Sequence, residues 1–357
     1  MAIKNSKKNI LIYRLGSLGD TIMVLPCFHQ VLKAFPGANI VLLTNKPVAS
    51  KAAPLEAVLG KDLFFNEIID YPIGSRNPLL LIRLLLKLRT YHFDCMVNLT
   101  AARSEGAAKR DKTFFGLAGI KRLVGFPSEY GDFNLLTDTE TGEKEWEAKR
   151  IARRIEPIGI PDLLQASNWD LKLTNAEISE ANNQLSKIPT EMKIISLSPG
   201  TKMQSKDWTV ANWVALIKLL AAALPDWGLV LIGAPDELDA ANQCEAAWHK
   251  GQVLNICGKV SLRECAAVLG KTNLFIGHDS GPMHLAGAMG IPIVAVFAAI
   301  NIPRKWFPRG DRNHIIYHKT DCAGCGLTVC IDQQKKCILS ISPTEVLEAA
   351  LTVIKSL

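Results

Sequence analysis

The sequence has no apolar run long enough and free enough of charge to span a bilayer, which argues against a membrane-embedded chain. The opening MAIKNSKKNI has no apolar h-region and no small-residue cleavage site, so no signal peptide is expected. The glycine-rich turn RLGSLGD fails the G-x-G-x-x-G dinucleotide fingerprint and the G-x-x-x-x-G-K-[ST] phosphate loop. No repeat of 20–50 residues and no low-complexity tract is visible, which excludes a solenoid. Aromatic residues make up 7% and are too sparse among the basic stretches for a single-strand nucleic-acid binder.

What is present is a globular composition, 48% hydrophobic and 21% charged. The 357 residues suit two domains better than one core. The net charge of +7 permits an acidic partner without naming one. Five of the nine cysteines, Cys27, Cys95, Cys244, Cys257 and Cys265, sit in apolar or helical contexts as plain buried thiols. Cys322, Cys325, Cys330 and Cys337 form C-x2-C-x4-C-x6-C. A cytosolic location is expected, where clustered cysteines more often mean metal or redox chemistry than a structural disulfide. Their count suits a structural zinc or iron, but the spacing is not that of the common fingers. Free thiols or a disulfide stand as the alternative.

Strands and helices alternate along the chain. NILIYR, ANIVLLT, DCMVNLT and KRLVGF read as strands of a parallel sheet covered by helices. DTIMVLPCFHQVLKAF reads as one helix with Asp20 at its N-cap and a kink at Pro26. The rhythm restarts at KIISLSPG and continues through GLVLIG, NLFIGHD and PIVAVF. The fold class is therefore α/β, with two Rossmann-like domains, 1–170 and 171–357, a linker near 165–192 and a ligand cleft between them. The last helix opens with a capping box, Ser342 followed by Glu345.

Three motifs follow directly after strands. In RLGSLGD the plain reading is a turn and an Asp N-cap, and the functional reading is a carboxylate where glycines admit a ligand. In SLSPGTKMQSKDW, Ser198, Gly200 and Thr201 offer donors, and Lys202 and Lys206 can reach an anion. The plain reading there is a solvated loop. In GHDSGPMHLAGAMG, Asp279, Ser280 and Gly281 precede a helix with Pro282 at its start and His284 in its first turns. A helix N-terminus is a ready anion site. The plain reading is an N-cap Asp and a packed His.

RLGSLGDTI, SPGTKMQSKDW and DSGPMHLAGAMGIP, in this order, resemble the family 9 glycosyltransferases, the heptosyltransferases of the lipopolysaccharide inner core. The resemblance covers essentially the whole chain. It implies the glycosyltransferase-B (GT-B) fold, with the acceptor on the N-terminal domain and the nucleotide-sugar donor on the C-terminal one. Asp20 matches the family's proposed base, Lys206 its donor-phosphate lysine and Asp279 the acid that holds the donor sugar. Ser280, Gly281, Met283 and His284 then line the donor pocket with Ser198, Gly200 and Thr201. Glu237 is a looser match near the nucleoside.

On this reading Asp20 takes the proton of the acceptor hydroxyl, while Lys206 and the helix after Ser280 hold the departing diphosphate. Arg14, Gly16, Ser17 and Gly19 are expected to face the acceptor. Arg103, Lys109 and Arg110 belong to the basic stretch ARSEGAAKRDKTFFGLAGIKR, which is either a solvated helix or a cradle for a phosphorylated, lipid-linked sugar. PLLLIRLLLKLRTYHF is a core helix with one wet face, or else lies on the anionic inner membrane. The expected activity is inverting transfer of heptose from ADP-heptose to lipopolysaccharide core or a related surface glycan, with no cofactor required for catalysis and no nucleic-acid partner. The alternatives are another nucleotide sugar, or a non-catalytic nucleic-acid-binding protein with a cysteine-held metal.

Overall fold

The computed structural model describes residues 7–46, 53–72, 77–101, 104–126, 134–137, 139–140, 142–249 and 252–357. The chain divides into two compact units, Met1–Leu171 and Lys172–Leu357.

In the first unit the strands are β1 (Asn9–Tyr13), β2 (Asn39–Lys46), β3 (Glu67–Pro72), β4 (Cys95–Asn98) and β5 (Leu123–Val124). They pair in parallel in the order β3-β2-β1-β4-β5. The helices are α1 (Leu18–Met23), α2 (Leu25–Ala34), α3 (Leu55–Leu59), α4 (Pro78–Thr90), α5 (Glu105–Leu117) and α6 (Glu147–Arg154). β1 and β4 are almost wholly buried, as a parallel sheet covered on both faces requires. The expected single helix around Pro26 is two helices. α1 ends at Met23, and α2 restarts with Pro26 in its first turn. Proline has no N–H to donate and clashes with the preceding turn, so a helix start accommodates it where a helix interior does not.

In the second unit the strands are β6 (Lys193–Ser198), β7 (Trp227–Leu231), β8 (Val253–Asn255), β9 (Leu274–His278), β10 (Ile293–Phe297) and β11 (His314–Tyr317). Their order is β11-β10-β9-β6-β7-β8, again all parallel. The helices are α7 (Asn175–Leu185), α8 (Val210–Ala223), α9 (Leu238–Ala247), α10 (Leu262–Leu269), α11 (Gly281–Ala288), α12 (Lys336–Leu339) and α13 (Pro343–Lys355). The core is built around Trp208 and Trp213, whose rings meet edge to face at 4.8 Å, together with Ile195, Leu197, Leu229 and Ile276. At the start of α13, Ser342 caps the Glu345 N–H at 3.2 Å. The Glu345 carboxylate does not return to complete a box. It meets His318 Nε2 at 2.9 Å.

Both sheets have the doubly wound order in which the chain reverses direction beside its first strand. The reversal lies between β1 and β4 in one unit and between β6 and β9 in the other. Loops that leave adjacent strands there diverge to opposite faces and open a crevice at the carboxyl ends. The segments after β1, β6 and β9 are the three motifs singled out above.

Candidate active site

The turn after β1 is built around one carboxylate. Ser17 is the N-cap of α1, and Asp20 is its third residue, so Asp20 is not the N-cap expected from the sequence. Asp20 Oδ2 accepts from the Ser17 amide at 2.8 Å and from Ser17 Oγ at 2.7 Å. Among the described residues Oδ1 takes no partner. One oxygen is thus anchored to Ser17 and the other is not. Gly16 has φ +141, and a Cβ there would lie 2.7 Å from Asp20 Cβ, so only glycine fits beneath this carboxylate. Gly19 is buried within α1.

Arg14, expected to face the acceptor, is turned inward and 1% exposed. Its guanidinium donates to the carbonyls of Leu99 and Asp20. Burial pulls its pKa below the usual guanidinium value, opposed by the charge of Asp20. Arg14 therefore joins the turn after β1 to the turn after β4 and is no acceptor ligand. Arg154 of α6 works beside it, donating to Thr100 O at 2.9 Å and Gly125 O at 2.6 Å. The buried Glu147 forks onto Arg150 at 2.6 and 2.9 Å. Sequence reasoning missed this group. The available signal was the spacing of Glu147, Arg150 and Arg154, which puts three charges on one face of a helix. Of the basic stretch, Lys109 and Arg110 lie exposed on α5, and Lys109 pairs with Glu105 at 2.5 Å. Arg103 lies outside the described residues.

In the second unit the two remaining motifs converge. Lys206 Nζ meets Asp279 Oδ2 at 2.6 Å and the Asp279 carbonyl at 3.2 Å. Both side chains are largely buried, at 13% and 5% exposed. His278 ties the same loops together from below. Its Nδ1 bonds the Gly200 carbonyl at 3.2 Å, and its Nε2 accepts the Trp208 amide at 3.1 Å. Those partners require Nδ1–H and a bare Nε2, the neutral ring. Complete burial enforces it, pushing the His278 pKa down to about 4. Glu237 closes the other side of the loop. A Cβ on Gly200 would lie 2.0 Å from the Glu237 carboxyl carbon, so any larger residue there would displace this side-chain end. Glu237 Oε2 also accepts the Ala234 amide at 2.8 Å.

Ser280 caps α11 by position only. Its hydroxyl makes no cap bond and is buried without a hydrogen-bond partner, so Ser280 leaves the first amides of α11 uncapped. Gly281 opens that helix, and His284 follows, 5% exposed, with its ring edge-on to Trp306 at 6.4 Å. Trp306, in PRKWFPRG after β10, is a further candidate that sequence reasoning passed over. Thr201 lies half-buried in the loop after β6. Two expected ligands are corrected. Ser198 and Met283 have no exposed surface at all, so neither presents an atom to a donor.

The four clustered cysteines are not drawn together in this structure. Among the described residues no group of three or more His, Cys, Asp or Glu side chains is placed to hold an ion. Cys325 is exposed and Cys322 half-buried, whereas Cys330 and Cys337 are buried. Cys322 lies 3.4 Å from Thr320 Oγ1, and Cys330 Sγ accepts from the Lys335 amide at 3.4 Å. Cys322 and Cys330 thus have separate polar partners along the loop.

The loop has a different job. Gln204 brackets the backbone of Cys330 with both ends of its amide, and Ser205 donates to the carbonyls of Leu327 and Thr328. Lys335 Nζ meets Asp207 at 2.8 Å on the carbonyl and 3.2 Å on Oδ2. Lys206 is therefore held from both flanks by the segment that carries the cysteines.

Comparison with known proteins agrees with these placements of the fold. The lipopolysaccharide core heptosyltransferase OpsX of Haemophilus influenzae is 24% identical over 324 residues, covering 87% of this chain and 84% of that protein. The crystal structure of a family 9 glycosyl transferase from Veillonella parvula superposes with a TM-score of 0.71 at 18% identity, covering 100% of both chains. The E. coli ADP-heptose lps heptosyltransferase II superposes at 0.64 with 20% identity, over 98% of this chain and 99% of that one. These neighbours share the GT-B fold. The family model described as glycosyltransferase family 9 (heptosyltransferase) matches residues 83–336, most of the chain, and so the chain belongs to that family and is a glycosyltransferase.

Proposed function

We propose that this protein is an inverting heptosyltransferase that moves heptose from ADP-heptose to lipopolysaccharide inner core or a related phosphorylated, lipid-linked glycan. The observation that carries the donor half is Lys206 at Asp279, directly before an α11 N-terminus that Ser280 does not cap. An ammonium has three N–H donors, and Asp279 takes two, so one remains for a diphosphate oxygen. The α11 amides supply further donors. Glu237, bound to its own loop and lying against Gly200, suits the nucleoside end of the donor.

On the acceptor side Asp20 is the general base. Its free Oδ1 takes the proton from an acceptor hydroxyl, whose oxygen forms the new bond to the anomeric carbon. The bond from that carbon to phosphate breaks, and ADP leaves with the electron pair. Its added charge falls on Lys206 and the α11 N-terminus. A single displacement of this kind inverts the anomeric centre. The exposed charges of Lys109 and Arg110 are available to phosphate groups on the acceptor. All nine cysteines are free thiols, which suits a cytoplasmic site of action.

Calorimetry with ADP, UDP and GDP tests the donor, and NMR of the product tests the stereochemistry. Preference for ADP and an inverted anomer are expected. Tighter binding of UDP or GDP overturns the donor assignment, and a retained anomer overturns the single displacement.

A further inference from the structure

α4 carries an apolar face that none of the described residues covers. Leu84 and Leu88 point into the core of the first unit, with Leu85 packed beside them. On its other side Leu79 is 67% exposed, Ile82 52% and Leu86 55%. Steps of three and four residues put these side chains in one line along the helix. A single exposed leucine needs no explanation, but three in line form a patch that does.

The charge around the line is of one sign. Arg83, Lys87 and Arg89 are exposed on the same helix, and α4 contains no acidic residue. The neighbouring α5 adds exposed Lys109, Arg110 and Lys112. Its acids are Glu105, which pairs with Lys109, and Asp111, which is almost buried beside Arg110. The outer line is aliphatic throughout, whereas protein interfaces favour aromatic anchors at their centres. Arg and Lys stems can lie along such a face and lift their charges to the level of lipid headgroups. Among the described residues no helix is long and apolar enough to cross a membrane, so α4 is suited to lying on one.

We infer that α4 docks the protein on an anionic lipid bilayer, with Leu79, Ile82 and Leu86 in the acyl boundary and Arg83 and Lys87 at the headgroups. This deepens the reading of a lipid-linked acceptor, because it brings the acceptor-binding unit to the surface that holds the acceptor. It does not need sugar transfer to be correct, and its test reads binding alone.

The experiment is co-sedimentation of purified protein with vesicles of phosphatidylglycerol and phosphatidylethanolamine, against vesicles of phosphatidylcholine. Binding to the anionic vesicles is expected, weakening as salt is raised. Arg83→Gln with Lys87→Gln should cut partitioning about 25-fold, at about fivefold per charge. Ile82→Gln with Leu86→Gln should abolish it, and all four positions are exposed enough for the variants to fold, as an unchanged melting temperature would verify. No binding to anionic vesicles, or equal binding by wild type and both variants, overturns the inference. So does a wild-type dimer that ignores vesicles and becomes monomeric in the Ile82→Gln, Leu86→Gln variant, which would make the face a contact between copies.

Discussion

Lys206 Nζ lies 2.6 Å from Asp279 Oδ2, although the two residues stand 73 positions apart in the chain. The pair joins the loop after β6 to the loop after β9, at the point where the sheet reverses its strand order. It lets Lys206 hold Asp279, and on the proposed function the same ammonium has a second duty, to meet the donor diphosphate. Lys206→Ala should weaken ADP binding roughly tenfold to a hundredfold, since a charge-assisted bond is worth about 1.5–3 kcal/mol, and leave adenosine nearly unaffected. It should also destabilise the fold by about 3 kcal/mol, because it strands a nearly buried carboxylate. Adding Asp279→Ala should restore much of that stability but none of the ADP affinity. Calorimetry and urea unfolding of the single and double variants separate the two duties. Equal losses for ADP and adenosine would place Lys206 away from the phosphates.

Asp20→Asn should remove transfer while leaving the fold and ADP binding near wild type. The capping contact is to one carboxylate oxygen, and an asparagine amide oxygen can accept the same Ser17 N–H. The proton acceptor is lost, and general bases contribute about a hundredfold to ten-thousandfold. A variant that transfers sugar at the wild-type rate would mean that the base is elsewhere.

The strands were legible because a parallel sheet buried on both faces writes itself as unbroken apolar runs, NILIY and IVAVF among them. The positions of the motifs after those strands followed at once. The inward turn of Arg14 did not. Strand periodicity assigns a residue to a face, but the carbonyl of Leu99 that receives Arg14 lies 85 positions away and becomes a partner only through β1–β4 pairing. The same holds for Arg154 and Gly125. The N-cap was misread by three residues because Ser17 and Asp20 both suit that position, and backbone angles alone choose between them. Cysteine spacing likewise says nothing of whether four thiols converge.

His278 makes stability depend on pH. Its folded pKa of about 4 lies below the ordinary value of 6.5, so the unfolded chain takes the proton first. Its contribution is complete above about pH 6.5 and is lost as pH falls towards 4, about 3 kcal/mol in all. His278→Gln can keep a donor for Gly200 and an acceptor for Trp208 without titrating. The variant should therefore lose less stability than wild type between pH 7 and pH 4.5 in urea titrations. Parallel losses would show that other groups set the acid limit.

The cysteine loop should matter for its backbone and not for its sulfurs. Alkylation of the native protein should reach Cys325 first and Cys322 next, and spare the buried Cys330 and Cys337. Protein modified at those two positions should bind ADP normally. Lys335→Ala is the contrasting change. It removes the anchor on Asp207, next to Lys206, and should weaken ADP severalfold with little effect on adenosine. Gln204→Ala should do the same by freeing the turn from Cys330, and Gln204→Glu, which keeps an acceptor for the Cys330 N–H, should recover part of the loss. One metal ion per chain, released by Cys322→Ser together with ADP affinity, would instead make the thiols the element that holds Lys206 in place.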